Sequence, residues 1–341
     1  MSDRKLRVGI VGGGWPGQRH ADGFLASGAW DVAAVADLDP ERRRDLARGT
    51  GALRLATAAE LFEQADLDAV VIALPTYLHH PMVMAALAAG KHVLCEKPPA
   101  LNAGETAAMA DAALRRGLVL CFGLQRRALP SAAAAQAIIA QGQLGEIYHA
   151  RAVFTRAWGA PKGAGNWFRD PAMAGGGALL DIGIHVLDLA WFLMGRPQPV
   201  AAFGVTHDRA PETSPLESAA FGLLRFAGGR SIQLEAAWIL PEADDRQYVH
   251  LHGTAAGALV ERDRLTVIRT GETGIETAST PIVLGAPDAL VAPFQAQASH
   301  FAAAIRGTAP ALAPAEDGVQ LMQMIDALYA SAGQQREIGL G

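Results

Sequence analysis

The stretch LRVGIVGGGWPGQRH, residues 6–20, decides the fold of the first half of the chain. It begins with Leu6 to Val11, a short apolar run that is typical of a strand buried in a parallel sheet. The run leads into the pattern G-x-G-x-x-G at Gly12 to Gly17, and a helical segment follows over residues 18–27. A strand, a glycine turn and a helix in this order predict the start of a dinucleotide-binding α/β domain.

The glycine turn predicts a phosphate-binding surface. Gly12 permits a tight turn, Gly14 lets backbone N–H groups approach a pyrophosphate, and Gly17 allows the helix to pack closely on the strand. The N-terminus of the helix then offers its partial positive charge to the phosphates. We therefore assign Gly12, Gly14, Trp15, Pro16 and Gly17 to a cofactor site.

A second buried strand, Val32 to Ala36, ends at Asp37, where the dinucleotide fingerprint expects an acid. A carboxylate at this place accepts hydrogen bonds from the adenosine ribose hydroxyls and repels the additional phosphate of NADP. NAD is therefore the predicted cofactor, and NADP remains an alternative because three arginines, Arg42 to Arg44, follow closely. A second alternative is that Asp37 only caps the next helix, since Asp39 and Pro40 come soon after it.

Apolar strands and helical segments continue to alternate up to residue 125, which predicts a parallel, doubly wound sheet with right-handed crossovers. We assign residues 1–125 to this Rossmann domain. Thr57 and Glu60 predict a capping box for one of its helices. The further predicted strands are 53–55, 69–74, 92–95 and 118–122, and the further predicted helices are 41–48, 58–62, 81–90 and 103–116.

The pattern changes after residue 125, and residues 126–341 are predicted to form an α+β domain on a largely antiparallel sheet. Many of its strands alternate in polarity and are joined by turn residues such as Gly228 and Gly229. The last helix, residues 315–332, is a candidate for packing back on the first domain. The predicted strands are 146–156, 200–207, 219–226, 230–239, 246–252 and 257–269, the helices are 131–141, 178–194, 294–306 and 315–332, and the loops are 208–216 and 285–293.

Composition argues against several classes of protein. The chain has 341 residues and a formal net charge of -5, which argues against an extended nucleic-acid surface. Its two cysteines, Cys95 and Cys121, lie in apolar runs and are expected to be buried thiols rather than a disulfide or a metal site. The N-terminus lacks a long apolar signal region, and no apolar stretch reaches the length of a membrane span. A cytoplasmic enzyme without membrane contacts is therefore the expectation.

Several motifs together connect the chain with a known family. They are GGGWPGQRH at 12–20, PTYLH at 75–79, AGKHVLCEKP at 89–98, GGGALLDIGIH at 175–185 and PAEDGVQLMQMIDALYASA at 314–332. In this order they resemble the glucose–fructose oxidoreductase / inositol dehydrogenase family, often called Gfo/Idh/MocA, over nearly the whole chain. The resemblance implies a Rossmann half and a half with an open-faced sheet, with the cofactor between them.

The resemblance also implies roles for individual residues. Lys97 would be the catalytic lysine, Glu96 would help to hold the nicotinamide ribose, and Asp181 and His185 would face the substrate. Gln125 stands where the family often has asparagine, yet it can still hydrogen-bond near the cofactor. The cofactor contacts expected from this part of the chain are Leu74, Pro75, Thr76, His79, Glu96, Lys97 and Gln125.

The chemistry of these residue types agrees with the resemblance. A lysine beside a positively charged nicotinamide has a lowered pKa and becomes a usable acid or base, and a histidine can hold or relay a proton near neutral pH. Pro98 and Pro99 restrict Lys97 to an extended conformation. Asp181 and His185 are four residues apart and share one face of a helix. The alternative for Lys97 is an ordinary solvated lysine. Asp181 and His185 could instead form a structural or capping pair, or be two ligands of a metal ion. Because the sequence offers no third ligand, we predict no metal.

The substrate side is less constrained by the motifs. The family often has asparagine where this chain has Thr76, and an aromatic residue where it has Ala128. These two differences leave the shape of the substrate pocket undetermined by the resemblance. Trp167 and Arg169 suit sugar rings and polar substituents, although packing in the core is an equal alternative for Trp167. The predicted substrate contacts are Lys97, Arg127, Trp167, Arg169, Asp181 and His185.

The leading hypothesis is an NAD(P)-dependent dehydrogenase that moves a hydride between the nicotinamide and a hydroxyl-bearing carbon of a sugar, cyclitol or related polyol, with Lys97 and His185 as acid/base groups. Two alternatives are an NAD-dependent glycosidase that oxidises its sugar transiently and a non-catalytic regulator that senses dinucleotide. Retention of both Lys97 and His185 argues against the regulator. The apolar runs AAFGLLRF (219–226) and IQLEAAWIL (232–240) predict a homodimer or homotetramer formed through the second sheet.

Overall fold

A computed structural model of the chain describes residues 4–64, 66–159, 166–209, 215–271, 274–281 and 290–341. These residues form two compact units. The first comprises the chain up to Ala128 together with Gly285–Val319, and the second comprises Leu129–Leu284 together with Gln320–Gly341. The architecture agrees with the predicted fold class, a Rossmann-like unit followed by a unit built on a mostly antiparallel sheet.

The first unit contains a six-stranded sheet in the order β3-β2-β1-β4-β5-β6, in which every neighbouring pair is parallel. This is the strand order of a dinucleotide-binding fold, with the switch point between β1 and β4. Its central strands are apolar apart from Arg7 of β1, because helices cover both faces of such a sheet. The strands are β1 (Leu6–Val11), β2 (Trp30–Ala36), β3 (Leu53–Leu55), β4 (Ala69–Ile72), β5 (His92–Cys95) and β6 (Leu120–Phe122).

The helices of the first unit alternate with these strands. The first helix begins at Trp15, three residues before the predicted start, because Pro16 fits the first helical turn without losing a hydrogen bond. The predicted capping box is confirmed, since the Thr57 side chain accepts from the Glu60 N–H and the Glu60 carboxylate accepts from the Thr57 N–H. The helices are α1 (Trp15–Ser27), α2 (Pro40–Leu46), α3 (Ala58–Phe62), α4 (His79–Ala88), α5 (Ala103–Arg116) and, much later in the chain, α9 (Ala292–Ile305).

Helix α9 completes the core of the first unit, although the predicted division at residue 125 assigns it to the second domain. Gly23 of α1 has no side chain, and a Cβ there would lie 2.6 Å from Phe294. The indole N–H of Trp30 donates to the carbonyl of Ala298 (2.9 Å), and the Trp30 ring stacks on Phe301 with centroids 5.4 Å apart. The helix therefore packs where α1 and β2 leave an apolar surface open.

The second unit contains a nine-stranded sheet in the order β14-β13-β12-β11-β7-β10-β9-β8-β15, antiparallel except for the parallel pair β7–β10. The predicted strand 257–269 is wrong, because the exposed Asp263 lies in a turn that divides it into two strands. Strand β14 is not predicted because its polar sequence, GIETASTP, lacks an apolar run. The strands are β7 (Ile147–Thr155), β8 (Pro199–His207), β9 (Ala219–Phe226), β10 (Ser231–Ala237), β11 (Arg246–Gly253), β12 (Gly257–Val260), β13 (Arg264–Gly271), β14 (Gly274–Pro281) and β15 (Ile338–Gly339).

One apolar helical segment lies under this sheet. The predicted helix 178–194 begins with a π-helical turn, Leu179–Gly183, and continues as a regular α-helix that packs on β7, β10 and β11. Residues 171–193 are long and apolar enough to cross a membrane, but 89% of their most apolar window is buried inside the protein, which is usual for a core helix. The remaining helices are α6 (Pro130–Ala140), α7 (Pro171–Ala174), α8 (Ile184–Leu193) and α10 (Ala315–Gln334), of which α10 begins in the first unit.

Candidate functional site

The glycine turn after β1 has the backbone that a dinucleotide loop requires. Gly12 has φ +100°, and a Cβ there would lie 2.2 Å from the carbonyl oxygen of Ala73. A Cβ on Gly17 would lie 1.8 Å from the carbonyl oxygen of Gly12, so the helix could not approach the strand with any larger residue. Gly14 precedes α1, and none of the described side chains caps its first turn. The N–H groups there remain available for phosphate oxygens.

The side chain of Asp37 joins the end of β2 to this loop. Its Oδ2 accepts the N–H of Gly13 (2.6 Å), and its Oδ1 accepts the N–H of Asp39 (2.8 Å). The cap of α2 is Asp39, which accepts from the N–H groups of Glu41 and Arg42, so the alternative of Asp37 as the helix cap is wrong. Each carboxylate oxygen has a second lone pair, which leaves Asp37 able to accept from ribose hydroxyls as well.

The segment after β5 carries the predicted lysine. Glu96 is buried, its Oε1 lies 2.7 Å from Nε2 of His20 on α1, and its Oε2 accepts the backbone N–H of Lys97 (3.1 Å). Burial by itself raises the pKa of Glu96, but the hydrogen bond and charge of His20, with the charge of Lys97, outweigh burial and hold the pKa below its usual value. The peptide bond between Lys97 and Pro98 is cis. Lys97 is itself only partly exposed.

The loop after β4 lies beside this segment. His79 is buried, with Nδ1 2.7 Å from the carbonyl oxygen of Pro98 and Nε2 2.8 Å from that of Leu74. Burial lowers the pKa of His79. His79 is predicted as a cofactor contact, yet its ring is enclosed and joins the two loops to each other. Pro75 and Leu74 stay partly exposed, whereas Thr76 is buried.

Two predicted residues follow β6 in a short turn, Gln125–Ala128. Gln125 is partly exposed near the end of the strand. Arg127 is 2% exposed, donates to the carbonyl oxygen of Leu312 (2.9 Å) and forms an ion pair with Asp317 at the start of α10. These contacts enclose the guanidinium and join the turn to the first residues of α10 within the same unit, and the substrate contact at Arg127 stays a prediction.

In the second unit, Asp181 lies in the π-helical turn and His185 lies at the start of α8. The indole N–H of Trp238 donates to Oδ2 of Asp181 (3.0 Å), which fixes the direction of the carboxylate. His185 is 8% exposed. Single π-helical turns are rare in proteins, and those that occur are often found at functional sites. Among the described residues, no group of three or more His, Cys, Asp and Glu side chains could hold a metal ion.

The remaining predicted substrate contacts lie in a short helical turn of the second unit, Asn166–Arg169. Trp167 stacks on Phe168 with ring centroids 3.7 Å apart, and Arg169 is exposed. Trp167 is partly exposed, so neither packing nor a substrate contact is decided for it. Residues 160–165, which precede this turn, lie outside the described residues.

Family models cover most of both units. Residues 6–124 match the model of an oxidoreductase family with an NAD-binding Rossmann fold, and residues 132–259 match the C-terminal domain of GFO/IDH/MocA proteins. This chain belongs to the GFO/IDH/MocA oxidoreductases. The predicted family is thereby confirmed, and the chain is an enzyme with an NAD-binding domain.

Individual GFO/IDH/MocA relatives are sugar dehydrogenases and reductases. A D-glucoside 3-dehydrogenase of Escherichia coli is 28% identical, with 97% of each chain covered. A 1,5-anhydro-D-fructose reductase of Ensifer adhaerens is 29% identical, with 98% of this chain and 99% of the relative covered. The structure of a levoglucosan dehydrogenase in complex with NADH and levoglucosan matches with a TM-score of 0.87 at 25% identity, covering 98% of this chain and 99% of the other.

Sequence reasoning missed three side chains that this GFO/IDH/MocA protein places around the predicted residues. They are His20 beside Glu96, Trp238 beside Asp181, and Glu217, which accepts backbone N–H groups just before Asp181. His20 closes the quoted motif GGGWPGQRH, which was the available signal for it. Glu217 lies outside every quoted motif, and Trp238 lies in the run IQLEAAWIL, which indicated only an apolar surface.

Proposed function

We propose that this protein transfers a hydride between NAD and a hydroxyl-bearing carbon of a sugar, a cyclitol or a related polyol, with Lys97 and His185 as acid/base groups. The observation that carries the proposal is the segment after β5, where a buried Glu96 is held by His20 and Lys97 follows directly. It lies in the same unit as the glycine loop and Asp37. A cofactor site and an ionisable lysine are thus built on one scaffold.

The residues of the first unit fit a dinucleotide. Gly12 and Gly17 leave no room for side chains, the first turn of α1 offers N–H groups, and Asp37 keeps acceptor capacity. Bound NAD would supply the hydride acceptor. Asp37 favours NAD over NADP because its carboxylate repels a phosphate on the ribose. The proposed contacts are Gly12, Gly14, Trp15, Pro16, Gly17, Asp37, Leu74, Pro75, Thr76, Glu96, Lys97 and Gln125.

Lys97 would accept the proton of the substrate hydroxyl during oxidation and return it in the reverse reaction. A carbon that loses hydride becomes a carbonyl only if its hydroxyl also loses a proton, so a base must lie at that oxygen. The amine of Lys97 accepts this proton in its neutral form, and the reverse reaction returns it. The buried carboxylate of Glu96 adjoins Lys97 along the chain and stabilises the ammonium that forms.

His185 and Asp181 would bind and orient the substrate. A carboxylate accepts hydrogen bonds from sugar hydroxyls, and an imidazole donates or accepts near neutral pH. The hydrogen bond from Trp238 prevents Asp181 from rotating freely. The relatives named above act on glucosides, anhydro sugars and levoglucosan, which supports a cyclic polyol as the substrate.

The test is a panel of sugars with NAD and with NADP, monitored by the absorbance of the reduced cofactor. The panel contains levoglucosan, a D-glucoside, D-xylose and a cyclitol. We expect reduction of NAD with at least one of them. Release of sugar from a glycoside without accumulation of NADH would contradict the proposal, because the enzyme would then be a glycosidase.

Lys97→Ala tests the acid/base assignment on the best substrate of the panel. We expect turnover to be lost while NADH binding, measured by fluorescence, persists. Lys5→Ala is the matched control, since Lys5 belongs to the same unit and forms only an exposed pair with Asp31 (3.7 Å). Turnover that survives in Lys97→Ala would show that another group takes the proton.

We also propose that a second copy covers part of the nine-stranded sheet in a cytoplasmic homo-oligomer. Phe203, Val205 and Leu223 are 44%, 39% and 44% exposed, and Phe203 pairs directly with Leu223 across β8 and β9. Such a contiguous apolar surface is usual for an interface. Leu223→Glu should reduce the mass in sedimentation, whereas Leu114→Glu, at an exposed leucine of the first unit, should not. A wild-type monomer would refute the proposal.

A further inference from the structure

The turn that leads into the π-helical segment is held by one residue of a neighbouring strand. Glu217 lies two residues before β9, and its Oε2 accepts the N–H of Gly177 (2.9 Å) while its Oε1 accepts the N–H of Leu179 (3.0 Å). The N–H between them, of Ala178, donates to the backbone carbonyl of Glu217 (3.0 Å). Three successive N–H groups are therefore bound by a single residue, and we call these contacts the Glu217 clamp.

A tyrosine from the last helix completes the Glu217 clamp. The hydroxyl of Tyr329 on α10 donates to Oε1 of Glu217 (2.8 Å). A Cβ on Gly176 would lie 2.2 Å from that hydroxyl oxygen, and a Cβ on Gly177 would lie 2.0 Å from the Glu217 carbonyl oxygen. The glycines before Asp181 are thus required because the clamp lies directly against their backbone.

The clamp connects to Asp181 through a single residue, Gly177. The N–H of Gly177 is held by Glu217, and the carbonyl of the same residue accepts the N–H of Asp181 (2.9 Å). The start of the helical segment is therefore fixed in position and in rotation by Glu217. Asp181 and His185 follow on the same segment, so their directions depend on it.

Burial and hydrogen bonding act on the Glu217 carboxylate in opposite directions. Burial raises the pKa of Glu217, although its hydrogen bonds oppose the rise, and burial also raises the pKa of Tyr329 far above its usual value. An acid whose pKa is raised by folding contributes stability at low pH, and this contribution is lost as the pH rises through the folded pKa.

We propose that Glu217 is a positioning residue that aligns Asp181 and His185 for the reaction by holding the turn at residues 176–179. This rests on the proposed function, because their alignment matters only if they act on the substrate. Displacement of reacting groups by about 1 Å costs on the order of 100-fold in rate. Loss of the clamp should therefore lower kcat strongly, while NAD binding to the first unit is unaffected.

Glu217→Gln is the decisive variant, because glutamine keeps the size of the side chain but offers only one acceptor oxygen. One of the two backbone N–H groups then faces an amide NH₂. Glu242→Gln is the matched control, since Glu242 is a partly buried carboxylate of the same unit that accepts from the Thr155 hydroxyl (2.9 Å). The measurements are kcat and KM for the best sugar of the panel, the dissociation constant of NADH and the melting temperature.

We expect Glu217→Gln to lower kcat by roughly 100-fold with unchanged NADH affinity, and Glu242→Gln to behave as wild type. Equal kcat values for the two variants would overturn the proposal, as would a parallel loss of NADH affinity. If Glu217→Gln does not fold, Tyr329→Phe tests the proposal instead, because it removes one hydrogen bond of the Glu217 clamp. A lower kcat at an unchanged melting temperature supports the clamp, and an unchanged kcat overturns it.

Amide hydrogen exchange separates failure of the clamp from failure of the proposed function. Faster exchange at Gly177 and Leu179 in Glu217→Gln, but not in Glu242→Gln, supports the clamp whether or not any sugar is oxidised. Unchanged exchange at both amides rejects it. Loss of turnover in Lys97→Ala and His185→Asn with full activity in Glu217→Gln would leave the proposed function intact and remove only the role of Glu217.

Discussion

Replacement of Asp37 by asparagine tests how the chain selects its dinucleotide. The carboxylate accepts the N–H groups of Gly13 and Asp39 in a partly buried position at the edge of the glycine loop. Asparagine has the same shape, but it has one acceptor oxygen and no charge. One of the two N–H groups therefore loses its acceptor, and the repulsion of a ribose phosphate disappears.

The size of the effect on NAD follows from the hydrogen bond that the charged carboxylate is proposed to accept from the ribose. A hydrogen bond to a charged group contributes about 1.5–3 kcal/mol, and each 1.4 kcal/mol is about tenfold in a dissociation constant. The position is partly exposed, so the lower end applies, and we expect the dissociation constant of NAD to rise by roughly tenfold. The constant for NADP should rise less or fall, because the lost repulsion offsets the lost hydrogen bond.

Fluorescence titration of wild type and variant with NADH and NADPH measures both constants. Asp39→Asn is the matched control, because Asp39 caps α2 by accepting from Glu41 and Arg42. That variant should keep nearly the wild-type stability, because asparagine caps a helix about as well as aspartate, and it should keep the wild-type ratio of the two affinities. Equal weakening of NADH and NADPH by Asp37→Asn would refute the assignment of Asp37 as the residue that selects NAD.

Two further predictions concern buried pairs of the first unit. His20→Ala leaves Glu96 buried without its partner and should lower the free energy of unfolding by about 3–5 kcal/mol at neutral pH. Folding lowers the pKa of Glu96, so the stabilisation that Glu96 contributes is present above its unfolded pKa and is lost as the pH falls through its folded pKa. The difference in free energy of unfolding between wild type and His20→Ala should therefore shrink on acidification. A difference that does not change with pH would contradict this. Arg127→Leu breaks the pair with Asp317 and should destabilise by a similar ~3–5 kcal/mol, measured by chemical unfolding, with an unchanged KM for sugar. A raised KM of Arg127→Leu for the sugar without a loss of stability would show that Arg127 contacts the substrate.

The cofactor half could be predicted because its signals are local. The strand, the three glycines of the loop and Asp37 lie within one βαβ unit, and each has a backbone requirement that appears directly in the sequence. The parallel, doubly wound arrangement of the first sheet followed from the alternation of strands and helices, with the crossover rule. The start of α1 shifted by one turn, because Pro16 stands inside the helix rather than before it.

The contacts that orient the site could not be predicted, because they join distant parts of the chain. Glu217 and Tyr329 are 112 residues apart, His20 and Glu96 are 76 apart, and Arg127 and Asp317 are 190 apart. Nothing in the sequence indicates that an arginine after a strand will be enclosed, so Arg127 was assigned to the substrate. Strand β14 was missed for a related reason, since a polar edge strand has no apolar face to detect.

The return of α9 to the first unit has a consequence for how the protein is made. The contact between Trp30 and Ala298 spans 268 residues, so the part of the chain that leaves the ribosome first cannot complete its core until nearly all of the chain has been synthesised. At about 5–20 residues per second, the apolar surface left for α9 stays uncovered for roughly 13–54 s. During this interval the nascent N-terminal segment is a target for chaperones, and a fragment that stops at residue 128 would carry the same exposed surface permanently.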